Sequence, residues 1–112
     1  MGQQTPIYLR IAEGDASAFA QLHTLYKDRL LYYGKRFLNE WEDVKDVVAE
    51  AFVQLWLSRA EMQSDAHLAN FLYRVVRHKA IDRQEKIKRQ ELLLRKVDQP
   101  ELAEENQLEA EL

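Results

Sequence analysis

Apolar residues recur along most of the chain at gaps of three and four. That is the spacing of one face of an α-helix, not the alternation of a half-buried strand. Ala16, Phe19, Leu22, Tyr26, Leu30, Tyr33 and Phe37 follow one another at gaps of 3, 3, 4, 4, 3 and 4 and predict a long amphipathic helix. Asp15 stands where the N-cap of that helix belongs, directly after Gly14, and residues 7–12 predict a short helix or turn before the glycine. Asn39 precedes Glu42 by three residues, as in a capping box, and predicts a further helix running to residue 59. Ser64 and Asp65 are the next cap candidates, which makes residues 60–66 a connection. From His67 a helical pattern runs to at least Arg83, and as far as Lys96, before Pro100 stops it. No strand run and no internal repeat appears. The predicted fold is all-α, a small helical bundle of three to four main helices over residues 1–96, followed by an acidic linker-like segment, 97–112.

Two of these segments carry more than a core stripe. In the third, Val44, Val48, Ala51, Phe52 and Leu55 share one arc at about 100° per residue. Asp43, Asp46, Glu50, Val53, Gln54 and Leu57 lie roughly opposite. Carboxylates interleaved with exposed aliphatics suit a partner's Arg or Lys side chains, because the aliphatics exclude water around each ion pair. The plainer alternative is a solvated acidic face with two tolerated apolar residues. In the fourth segment Leu68, Phe71, Leu72, Val75 and Val76 form an apolar arc that Lys79, Arg83 and Lys86 then continue. Unpaired cations cannot occupy a core. The helix is therefore expected to leave the core near His78, or to bend, with its second half exposed on nearly all sides.

Net charge is −3, from 16 basic and 19 acidic residues, and alone says little about partners. Its distribution says more. Residues 39–61 hold six acidic and two basic groups, residues 71–89 seven basic and two acidic, and residues 97–112 six acidic and none basic. The basic block fits a phosphate-contacting element. Tyr73, off the apolar arc, is the better candidate for stacking on an unpaired base, and Phe71 the better core residue. Polar atoms of the stretch beginning at Ser64, Asp65 and His67 can read the edges of such a base.

Composition removes several chemistries. Without cysteine there is no disulfide scaffold, thiol nucleophile or Cys-ligated metal. His67 and His78 are eleven residues apart, ~16 Å along a helix, too far to share one metal, and His23 stands elsewhere. No glycine-rich phosphate loop, HExxH or GxSxG occurs. No catalytic residue, metal or cofactor is expected. No apolar run approaches the ~18 residues of a membrane span, and the N-terminus lacks a signal-peptide pattern. These readings leave a nucleic-acid-binding module and a helical protein–protein adaptor without DNA binding as the two functional classes.

The run Asp43-Val-Lys-Asp46-Val-Val-Ala-Glu50-Ala-Phe52-Val-Gln-Leu55-Trp56 resembles the polymerase-binding helix of bacterial RNA polymerase sigma factors, in particular the extracytoplasmic-function (ECF) group. Asn70-Phe71-Leu72-Tyr73-Arg74-Val75-Val76-Arg77-His78-Lys79-Ala80-Ile81-Asp82-Arg83 resembles that family's promoter-melting helix, and Gly14-Asp15-Ala-Ser-Ala-Phe19 its opening helix. The resemblance spans residues 7–90 and implies sigma region 2, a helical bundle. One face would grip the β′ clamp coiled coil of the RNA polymerase core. Another would bind the non-template strand of the promoter minus-ten element, in the bacterial cytoplasm, without membrane insertion.

On this resemblance Asp43, Asp46, Val47, Glu50, Val53 and Gln54 would contact polymerase. Ser64, Asp65, His67, Asn70, Tyr73, Arg74, Arg77, His78, Lys79, Arg83 and Lys86 would contact DNA. An anti-sigma factor would be a further partner. Ala49 stands where the family often has Gln, so one polymerase hydrogen bond is absent or made elsewhere. A complete ECF factor also carries region 4, a helix-turn-helix domain. The acidic segment ending at Leu112 reads as the linker towards it, and the chain as a piece of a longer protein.

Overall fold

The computed structural model describes residues 5–98, with side chains to residue 96. Four α-helices appear: α1 (Ile7–Ala12), α2 (Ala16–Gly34), α3 (Trp41–Leu57) and α4 (Asp65–Asp98), with a 3-10 turn at Arg59–Glu61. No strand occurs among the described residues. The all-α bundle expected from periodicity is what forms. From residue 99 the predicted linker lies outside the described residues.

The helix starts follow from local chemistry. Gly14 takes φ +87°, a left-handed conformation that L side chains resist, and lets the chain reverse between α1 and α2. Asp15 then caps α2: its carboxylate accepts from the N–H groups of Ser17 and Ala18 at 2.9 and 3.1 Å. The Ala18 N–H chiefly, with help from the Arg10 guanidinium, holds the Asp15 carboxyl below its ordinary 3.8; partial desolvation opposes them. The predicted Asn39 capping box does not form. Glu40 is the N-cap of α3 and makes no side-chain cap bond. The Asn39 carbonyl instead accepts from Lys35 Nζ, which bridges the α2–α3 turn.

The three long helices share one core. Leu22 and Leu30 of α2, Val44, Val47 and Leu55 of α3, and Leu68, Leu72 and Val76 of α4 are all at most 1 % exposed. Fully burying a side chain of this size contributes about 1.5–3 kcal/mol. Gly34 lies where the helices cross. A Cβ there would stand 3.0 Å from Val44 Cγ1 and 3.5 Å from Val76 Cγ1.

The fourth helix does not leave the core at His78. Ala80 is fully buried and Ile87 packs against the core cluster, so the stripe Leu68, Leu72, Val76, Ala80 continues past the expected exit. Arg83 occupies the next place on it. Only beyond Ile87 does the helix run free, with Leu92, Leu93 and Leu94 all exposed.

Candidate nucleic-acid and protein interfaces

The outward face of α3 is built as its periodicity dictates. Asp46, Glu50, Val53, Gln54 and Leu57 are exposed, while Val44, Val48, Ala51, Phe52 and Leu55 turn inward. Val53 is 59 % and Leu57 73 % exposed, among the most exposed large apolar side chains described. Val47, expected on this face, is fully buried. It lies three residues after Val44 and four before Ala51, which puts it on the core side. Beside Val53 opens an apolar recess of about 360 Å³ lined by Ala16, Phe19, Phe52, Val53 and Trp56. Sequence reasoning missed Trp56 as part of this surface. Its position three residues after exposed Val53 was the available signal.

The acidic and basic surfaces are not separate. Arg83, expected to reach DNA, turns towards α3, with its side chain only 27 % exposed. Its Nη1 donates to Asp43 Oδ1 at 3.1 Å and lies 3.7 Å from Asp46 Oδ2; its Nη2 lies 3.6 Å from Glu50 Oε1. Lys79 Nζ stands 3.9 Å from Glu50 Oε2. A planar guanidinium carries five donors in a fixed fork and so can serve several carboxylates at once. This network explains how a cation can sit on the core stripe: α3 supplies the counter-charge. Asp43, expected to contact polymerase, is half-buried and spends its carboxylate on Arg83.

The remaining candidates fall on different faces of α4. Asn70, Tyr73 and Arg77, spaced i, i+3, i+7, share the side towards α2. There the Tyr73 ring meets Tyr33 edge to face, with centroids 5.1 Å apart. The expectation of a free stacking ring is corrected: Tyr73 is half-buried, and this contact takes one side of it. His78 and Lys79 lie on the opposite side with Gln54, Phe71 and Val75 around a shallow recess. Arg74 stands over the Phe71 ring, 5.8 Å from its centroid, with its charge outward. Lys86 borders Glu50, Lys79, Asp82 and Arg83.

The start of α4 is occupied by structure. Ser64 Oγ accepts from the His67 N–H at 2.9 Å, and His67 Nδ1 accepts from the Gln63 N–H at 3.1 Å. Asp65 Oδ1 accepts from the Tyr8 N–H at 2.9 Å and pins the start of α1 to the start of α4. Three side chains expected to face a base thus serve as caps and ties. Asn70 alone of the polar candidates before Tyr73 is exposed with no hydrogen bond among the described residues. No cluster of metal-ligating side chains and no helix long and apolar enough to cross a membrane occurs among those residues.

Comparison with known proteins fits this geometry. A family model described as Sigma-70 region 2 matches residues 22–90, from the first core leucine of α2 to the free half of α4. The ECF RNA polymerase sigma factor SigW of Bacillus subtilis is 28 % identical over 74 residues, covering 66 % of this chain and 40 % of that protein. The RNA polymerase sigma-H factor of Pseudomonas aeruginosa is 27 % identical over 73 residues, covering 65 % and 38 %. The chain thus matches about two fifths of either relative's length. No solved structure matches it.

Proposed function

The chain belongs to the sigma-70 region 2 family, and from that premise we propose that it works in bacterial transcription initiation as region 2 of an ECF-type sigma factor. In this reading the α3 face docks on the β′ clamp coiled coil of the RNA polymerase core. The exposed side of α4 holds the non-template strand of the promoter minus-ten element and helps keep the strands apart. The site of action is the cytoplasm. An anti-sigma partner covering the α3 face would block the first step.

The observation that carries the reading is the make-up of the α3 face. Its back is the bundle core, so it is held rigidly. Its front sets Asp46 and Glu50 beside Val53 and Leu57, next to an apolar recess. A basic helix of the clamp could pair with the carboxylates while an apolar side chain enters the recess. Among the α4 candidates, Arg74, Arg77 and Lys86 are exposed and have no salt bridge among the described residues, and of these Lys86, nine residues from Arg77, lies on the side next to Glu50 of α3.

One observation favours a second reading, a helical adaptor that binds protein and not DNA: Lys79 and Arg83 are neutralised by α3, which removes two of the expected phosphate contacts. Salt dependence separates the two. With RNA polymerase core present, strand binding through Arg74 and Arg77 steepens the log–log salt slope by at least about 1.4 over that of core alone, at ~0.7 per phosphate contact on a single strand. An adaptor gives no strand binding above that of core alone.

A further inference from the structure

The pairing of α4's cations with α3 moves the free positive charge to the other side of the helix, and α2 adds to it there. Between Tyr26 and Phe37, α2 and the turn after it carry Lys27, Arg29, Lys35 and Arg36 against the single acid Asp28. None of the four has a carboxylate within salt-bridge distance among the described residues, and Arg29 and Arg36 are exposed. Arg29 stands 5.7 Å from the Tyr26 ring centroid, and Arg36 stands 5.6 Å from that of Tyr33. Tyr26, Arg29 and Tyr33 follow at gaps of 3 and 4 and form one stripe along α2, and Arg36, in the turn past its end, extends it by standing over Tyr33. Tyr33 also packs edge to face on Tyr73, which places this stripe beside Asn70, Tyr73 and Arg77 of α4.

We propose that the α2–α4 seam, with Arg29 and Arg36 on one bank and Arg77 on the other, is the track on which the single-stranded DNA backbone lies. The inference rests on the DNA-binding reading given above and adds α2 to it. Three features favour a single strand over an acidic peptide. Arg29, on α2, and Arg36, in the turn just past its end, present two cations in succession along one edge, which suits the repeating phosphates of a strand. Half-exposed Tyr33 lies between them and Tyr26 just before, which gives a strand an aromatic floor. Arginine planes held over aromatic rings keep their outer donors free for phosphate oxygens. On the α3 side of α4, Arg83 is already tied to three carboxylates and Lys79 to one.

The test uses the full chain with RNA polymerase core and a fluorescein-labelled oligothymidine strand, followed by anisotropy across a salt series. With four contacts, from Arg29, Arg36, Arg74 and Arg77, the wild type steepens the slope by about 2.8 over that of core alone, and Arg29→Ala/Arg36→Ala reduces this to about 1.4 with at least ~10-fold weaker binding at low salt. Both arginines are exposed, so helicity and core binding of the double variant stay at wild-type values, which is checked in parallel. If the double variant binds with unchanged affinity and slope while Arg77→Ala binds more weakly, α2 is not part of the track and the DNA reading stands without it. If the wild type adds no strand binding to that of core, both fall.

Discussion

Arg83 shows how one side chain can reverse the meaning of a charge pattern. In sequence it belongs to a basic block; in the fold it is the counter-ion of Asp43, Asp46 and Glu50. Removing it leaves half-buried Asp43 without its donor, and hydrogen bonds to charged groups are worth more than neutral ones. Arg83→Ala is expected to cost about 1–2 kcal/mol, read as a melting point lowered by ~5–10 °C for a domain of this size. Arg83→Lys recovers only part of this, because an ammonium gathers three donors on one nitrogen and lacks the five-donor fork that spans the three carboxylates. Asp15 supplies a pH dependence of known sign. Its folded-state pKa lies below the ordinary 3.8, so the cap stabilises the fold fully above that value and is lost as pH falls through the folded pKa. Thermal melts from neutral to strongly acidic pH should show Asp15→Ser losing less stability on acidification than the wild type. A serine still caps but does not titrate.

At the scale of helices, sequence reading succeeded where one helix face decides the outcome. The gaps in α2, the left-handed Gly14 and the Asp15 cap are local properties and could be read locally. It failed where a neighbour intervenes. Asn39 has the right spacing for a capping box, yet Lys35 holds its carbonyl and the helix starts one residue later than that cap would set. The end of the packed part of α4 was placed too early, because nothing local to α4 announces the α3 carboxylates that let Arg83 stay on the core stripe. Gly34 is likewise silent in sequence and decisive in packing. Gly34→Val pushes branched carbon into Val44 and Val76 at the helix crossing, and is expected to destabilise the fold by about 1–3 kcal/mol, measured by chemical denaturation.

Over the whole molecule, the two surfaces meet along the α3–α4 contact and share Arg83 and Lys79. The α3 half of the candidate site was largely legible, since Asp46, Glu50, Val53 and Gln54 fall outward by helical periodicity alone. Val47 was the error there, and periodicity could have caught it. The α4 half was legible only in part. Charge points to α4 but cannot tell its α2 side from its α3 side, and Arg29 and Arg36 stand among tyrosines that read simply as core. The central claim is that docking and strand binding use separable faces. Its most direct test is the affinity of labelled RNA polymerase core for Asp46→Lys/Val53→Asp and for Arg77→Glu, each beside the wild type. The account predicts at least ~10-fold weaker core binding for the α3 double variant, two hot-spot-like contacts being lost, and wild-type core binding for Arg77→Glu. Equal core binding by the two variants, whether both retained or both lost, would contradict it.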